Sequence, residues 1–381
     1  MSVTIEAPKT QNLTADAEQE KNHESVLAVL LDRQQKDYRR GIDNDGRKVG
    51  LAFDFGSYGG VISLAMARKL QVAGLLDYVD GFYGLSSGGV NAAFAATGQV
   101  KEGMDTYLNL MPDKGLIKPG QLFPPKLPRM DLNVLREAIT EEHPLDLAKL
   151  TEEGAPVVAI GVTDLDDPYH RNKIFKSTDI DPEHPEKFIE QLILGCNYPI
   201  LAGGPIIGED GHRYTDAGMA WDGAMEIAAE DGCTHVLSLA NLPPTKKPTE
   251  RRVPAKLLNG IITRVGQHYV DSQGVKRPSI YALHEKILNP IGVLLEDFAL
   301  NVSGEGSDFS HHDYKRVAER RDEKLIFSES FYKYGRAQVE RIYPPKLGEL
   351  PGLMTPDKKK LRLGIRAGRL SVRHSLENAR R

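Results

Sequence analysis

Two strand–turn–helix units follow one another within Lys48–Val100 (KVGLAFDFGSYGGVISLAMARKLQVAGLLDYVDGFYGLSSGGVNAAFAATGQV), each with glycines at its turn. Strands joined through helices run parallel and need helical cover on their faces, so the repeat commits the chain to an α/β architecture. In the first unit Gly50–Asp54 reads as a short buried strand, Phe55–Gly60 as a turn and Val61–Leu70 as a helix. In the second, the apolar run Tyr78–Tyr83 reads as a strand, and the small-residue helix Val90–Thr97 stops at Gly98.

Between the strand and helix of the second unit stands Gly84-Leu85-Ser86-Ser87-Gly88, a G-x-S-x-G in the strand-to-helix setting that gives this motif meaning. A serine at so sharp a turn is pushed outward, and Gly84 and Gly88 remove side chains that would clash there. The helix that follows offers its dipole and free N–H groups to a developing negative charge, which marks Ser86 as a candidate nucleophile. The first turn is a second source of N–H donors, from Gly56 and Ser57, with Gly59 and Gly60 completing its glycines. There is no G-x-G-x-x-G and no Walker lysine, so an oxyanion site fits it better than a nucleotide. Histidines that could complete a triad are His235, His268, His284, His311, His312 and His374, and none has a spacing that places it over Ser86.

The order of glycine-rich turn, G-x-S-x-G elbow and a later Tyr214-Thr215-Asp216-Ala217-Gly218 resembles the patatin-like phospholipase family over about Lys48–Leu242. That resemblance implies a three-layer α/β/α sandwich and a serine–aspartate dyad acting on acyl esters without a catalytic histidine. Carried over residue by residue, it implies Ser86 as nucleophile and Asp216, followed by Gly218, as general base. The oxyanion hole would then be formed by the N–H groups of Gly56, Ser57 and Ser87. Asp222, in Trp221-Asp222-Gly223-Ala224, is the rival base, and is read here as a helix cap. Two departures stand out: the turn reads Phe55-Gly56-Ser57-Tyr58-Gly59-Gly60 where the family has Gly-Gly-Gly-x-Arg/Lys-Gly, so its basic residue is missing, and Ala217 precedes Gly218. The implied activity is hydrolysis of lipid acyl esters, of the phospholipase A or lysophospholipase type. An acyltransferase using the same acyl-enzyme and a catalytically weak lipid-binding scaffold are the alternatives.

Around that core the chain divides into a polar tail and helix (1–45), a catalytic domain (46–242), a mainly helical C-terminal region (243–356) and a basic tail (357–381). Met1–Asn22 is polar with no apolar h-region, and His23–Arg40 reads as a helix. Further helices are read at Met104–Met111, Asp131–Ile139 with Asp131 as N-cap, Leu145–Thr151 and His184–Tyr198, with a buried strand at Ala155–Thr163 and another at His235–Leu239. Lys114–Arg129 is a proline-rich surface segment and Pro243–Pro254 a basic linker, followed by apolar helices at 255–270, 280–288 and 290–300, a polar loop at 303–308 and a charged, partly helical 315–334. A net charge of −4 argues against a nucleic-acid binder, and two cysteines, Cys196 and Cys233, give neither a disulfide framework nor a zinc spacing. No metal and no cofactor is implied, and the setting expected is cytoplasmic; oligomeric state is not legible. Wound as a helix, 357–381 places Leu361, Ile365, Val372 and Leu376 on one face beside a stripe of arginines, the pattern of peripheral contact with an anionic membrane.

Overall fold

The structure, a computed structural model, describes residues 24–118, 130–167, 172–202, 204–219, 223–243, 331–334, 336–345, 347, 350–351 and 356–380. The readings at 1–23, 119–129, 244–330 and Asp222 lie outside these residues. Among these residues nine strands form one sheet: β1 (Val49–Phe53), β2 (Gly81–Leu85), β3 (Val157–Asp164), β4 (Asn172–Lys176), β5 (Ile206–Ile207), β6 (Arg213–Thr215), β7 (His235–Leu239), β8 (Phe331–Tyr334) and β9 (Ala337–Ile342). Followed through hydrogen-bonded neighbours they run β5-β6-β3-β2-β1-β7-β9-β8, with β4 also on β3, where β6 and β2 share one edge end to end. The central run β3-β2-β1-β7-β9 is parallel, and the strands at both ends are antiparallel.

Alternation along the strands splits the core into two layers. Leu51, Phe53, Phe82, Val158, Ile160 and Leu237 face the larger helical layer. Ala52, Tyr83, Leu85, Ala159 and Val236 face α7 (Ala224–Glu230), introduced here after α1 (Val26–Gln35), α2 (Val61–Val72), α3 (Ser87–Ala96), α4 (Val100–Asp105), α5 (Leu132–Glu137) and α6 (Glu186–Gly195). The result is a three-layer α/β/α sandwich. Arg33 of α1 is almost wholly buried and holds the roots of the first two strands. It binds Asp45 before β1 at 2.8 Å and Asp80 before β2 at 2.8 Å, and donates to the carbonyls of Tyr78 and Arg47 at 2.8 Å each.

Several boundaries move. The second strand begins at Gly81 rather than Tyr78, because Leu76–Tyr78 makes a 3-10 turn whose Tyr78 carbonyl is taken by Arg33. The helix after the elbow begins at Ser87, three residues earlier than read, so it starts directly on the nucleophile candidate. Asp131 does cap α5, its side chain accepting from the Asn133 N–H. The region 243–356, read as mainly helical, also contributes two strands, β8 and β9, which join the sheet beside β7. Charge hides β9: its Glu340 is buried, accepting from the Leu27 N–H (3.1 Å) and the Ser25 hydroxyl (3.0 Å) at the start of α1. The sheet therefore runs past the boundary expected at residue 242.

The basic tail is helical, as read: α8 (Lys358–Ala379) is capped by Asp357, which accepts from the N–H groups of Lys359 and Lys360. Its apolar face does not look outward. Leu361, Val372 and Leu376 are buried, each contributing about 1.5–3 kcal/mol, and the helix lies against α2. Gly364 and Gly368, which weaken an isolated helix, are the contact points here. A β carbon on Gly368 would overlap the Ile62 carbonyl oxygen.

Candidate active site

Ser86 follows β2 with φ 53° and ψ −129°, one of three non-glycine residues at positive φ among the described residues. Such a conformation costs roughly 1–3 kcal/mol and persists only where surrounding structure imposes it. Two glycines impose it. A β carbon on Gly84 would overlap the Gly88 carbonyl, and one on Gly88 would overlap the Phe53 carbonyl of the neighbouring strand. The half-buried Ser86 makes no side-chain capping bond to α3, so its hydroxyl is left to face the site.

The first turn, Phe55–Gly60, ends β1 and is fastened by two asparagines the sequence reading did not single out. Asn241, just past β7, donates from Nδ2 to the Asp54 (2.8 Å) and Phe55 (3.1 Å) carbonyls, and its Oδ1 accepts from the Ser63 N–H (3.0 Å). Asn91 of α3 donates to the Gly60 carbonyl (2.9 Å) and accepts from the Tyr107 hydroxyl (3.0 Å). Tyr107 sits on a π-helical turn, Thr106–Leu110, and burial pushes its hydroxyl pKa up. Arg341 of β9 is ion-paired with Asp54, whose carboxyl is nonetheless pushed up by burial, against the pull of that charge. A cation thus stands at the base of the turn, though not on the turn itself. Within the turn Ser57 is also at positive φ, 44°, and the N–H groups of Gly56 and Ser57 donate to no acceptor among the described residues. The N–H of Ser87, at the first position of α3, is one of the donors a helix leaves unpaired.

Asp216 is brought in by strand register. Strand β2 runs along β3 as far as Leu85↔Gly161, and β6 takes over with Thr215↔Thr163. Both use the same edge of β3, because β4 occupies the other, pairing Asn172 with Thr163. Ser86 and Asp216 each stand one residue past these last pairs, on the same edge of β3. Asp216 is buried, its N–H bonded to the Asn197 carbonyl (2.9 Å) and its carbonyl to the Thr163 hydroxyl (2.9 Å). Its Oδ1 accepts from the Gly218 N–H (2.7 Å), a closed turn that Ala217 does not disturb. Burial, and then the charge of Asp216, push the Cys196 thiol above its ordinary value.

Ser57, Ser86 and Ser87 share a cavity of about 20 Å³ with Val90, Tyr107, Met111, Leu116, Met130, Leu135 and Cys196. That is room for one water-sized group in an otherwise apolar recess. The larger hollow, of about 990 Å³, lies elsewhere, between β9 and α8, and contains none of these serines. Among the histidines weighed for a triad, His235 is buried at the start of β7 beside Thr234 (2.8 Å) and Glu24 (3.3 Å), and burial lowers its pKa. His374 is exposed on α8, and His268, His284, His311 and His312 lie outside the described residues. Asp222 does too, and the N-cap of α7 is Gly223 rather than Asp222.

No family model matches the chain, and no curated protein matches it. Among solved structures it is similar to VipD from Legionella pneumophila, at 13% identity and a TM-score of 0.43, covering 87% of this chain and 67% of that one. A likeness of that degree carries no functional argument. Among the described residues no helix is long and apolar enough to cross a membrane.

Proposed function

We propose that the protein is a serine acyl hydrolase of the patatin-like kind. Ser86 attacks the carbonyl carbon of an acyl ester, and Asp216 takes the hydroxyl proton as general base. The N–H groups of Gly56, Ser57 and Ser87 hold the oxyanion, each well-placed donor being worth about 3–4 kcal/mol. Loss of the alcohol leaves an acyl-Ser86 ester, which water cleaves with Asp216 again as base. The observation that supports this reading is the shared edge of β3: a serine forced to φ 53° by glycine contacts follows one strand pairing there, and a buried aspartate follows the other. The preferred substrates are lipid esters. The apolar wall of Val90, Met111, Leu116, Met130 and Leu135 suits an acyl chain, and unbranched Met111 and Met130 can change rotamer to lengthen the recess.

Labelling with a fluorophosphonate probe and turnover of a p-nitrophenyl acyl ester test it together. Ser86→Ala should abolish both, Ser87→Ala should keep most of both, and Asp216→Asn should cut turnover by orders of magnitude in a folded protein. Labelling retained in Ser86→Ala would overturn the nucleophile. Activity that survives Asp216→Asn but not Asp222→Asn would move the base.

The reading includes contact with an anionic membrane through 357–381, in a form changed by the packing of α8. Its apolar face is spent on α2, while Lys359, Arg362, Arg366, Arg369 and Arg380 remain exposed. Lys358, at the same end, pairs with Asp113 (2.7 Å), two residues from Met111 of the Ser86 recess. Attraction would be Coulombic, without insertion, and so lost at high salt. The full chain should co-sediment with phosphatidylserine vesicles and not with phosphatidylcholine vesicles. Reversal of Arg362, Arg366 and Arg369 to Glu should remove that binding.

A further inference from the structure

Ser57 holds a place that glycine would fill at lower cost. Its φ of 44° is the left-handed conformation that glycine adopts freely and that other residues avoid, and glycines flank it at 56, 59 and 60. Its side chain is only 9% exposed, and Oγ has no hydrogen-bond partner among the described residues. A buried hydroxyl without a partner is a second penalty that glycine would remove. The same side chain lines the water-sized recess that Ser86 also lines. Three independent facts, backbone strain, an unsatisfied buried hydroxyl and a shared cavity with the nucleophile, meet at one residue and have no structural explanation.

We infer that the Ser57 hydroxyl is itself an oxyanion donor, acting beside its own N–H; this rests on the acyl-hydrolase reading of Ser86. As Ser86 Oγ bonds to the acyl carbon, the carbonyl π pair moves onto oxygen and Asp216 takes the Ser86 proton. The Ser57 O–H then finds its missing acceptor in that oxygen, donating a hydrogen bond and keeping its proton. The bond forms with the charged oxygen more strongly than with the neutral carbonyl, so it favours the transition state over the bound ester. The chain has no basic residue at the turn, and the hydroxyl places a side-chain donor there instead.

The test uses the full chain with Ser57→Gly and Ser57→Ala, reading kcat, KM, thermal midpoint and fluorophosphonate labelling. Glycine relieves the strain and alanine keeps it, while both delete the hydroxyl. Both variants should therefore lose 10- to 100-fold in kcat with KM within threefold of wild type. Ser57→Gly should do so with an unchanged or raised thermal midpoint, a combination that a merely structural serine would not produce. Turnover within threefold of wild type in either variant overturns the inference, and so does a lowered midpoint in Ser57→Gly. Wild-type protein that neither labels nor turns over ester overturns the Ser86 reading itself, and this inference with it; labelled wild type with fully active Ser57 variants overturns the inference alone.

Discussion

The two turns at the ends of adjacent strands β1 and β2 have the same plan and different supports. Each leads from a parallel strand into a helix, and each carries a serine at positive φ, 44° at Ser57 and 53° at Ser86. The elbow after β2 is shaped by backbone alone, Gly84 lying against Gly88 and Gly88 against the Phe53 carbonyl. The turn after β1 is tied by side chains from afar, Asn241 at its start and Asn91 at its end. A backbone-closed turn tolerates no added atom. A turn tied by side chains can be loosened by degrees.

The largest expected effect comes from putting one atom where the elbow has none. Gly88→Ala drives a β carbon into the Phe53 carbonyl, so ester turnover and probe labelling should vanish, with about 3 kcal/mol or more lost from the urea unfolding free energy. A labelled, active Gly88→Ala protein would show that the elbow is not closed by this contact.

Next comes the other turn. Asn241→Ala removes three hydrogen bonds, to the Asp54 and Phe55 carbonyls and from the Ser63 N–H, for a loss of about 2–3 kcal/mol on the same measurement. Turnover should drop by tenfold or more while Ser86 still labels, because the elbow does not depend on Asn241. Loss of labelling in proportion to turnover would mean the two turns stand or fall together.

The smallest effect lies at the opposite ends of the two strands, where Arg33 ties both roots. Its hydrogen bonds hold the Asp45 carboxyl at about 2, below the ordinary 3.8. A depressed carboxylate gives stability that is present above pH 3.8 and is lost as pH falls through about 2, roughly 2 kcal/mol in all. Urea midpoints should therefore decline over that acid range, and Asp45→Asn should flatten the decline. Its turnover at neutral pH should match wild type, since both turns lie at the far ends of their strands.

The same contrast explains what was legible beforehand. Ser86, Gly84 and Gly88 could be read because every residue that shapes the elbow lies within its own motif or the next strand. The α/β/α layering was legible for a similar reason, through apolar strands alternating with helices. Asn241 and Asn91 could not be read as clamps, for their acceptors are backbone atoms far away in sequence. Strand β9 was missed because Glu340 and Arg341 look solvated by type, while one caps α1 and the other pairs with Asp54. The arginine-striped helix is legible from its spacing, but the partner of its apolar face is not. Only the packed structure shows why glycines sit there: Gly368 lies against α2 and Gly364 against Pro351.

That contact has a consequence for the order of events during synthesis. Ile62 is the second residue of α2, just past the first turn, yet the surface it presents is covered by residues made roughly three hundred positions later. Until 358–379 has emerged from the ribosome, α2 keeps a bare apolar flank, and the sheet lacks β9 beside β7. The nascent chain must hold that flank open until then, a long exposure for an aggregation-prone surface. Closing so distant a contact is also entropically slow. The core beneath the first turn is therefore completed only by a segment made some three hundred residues after it.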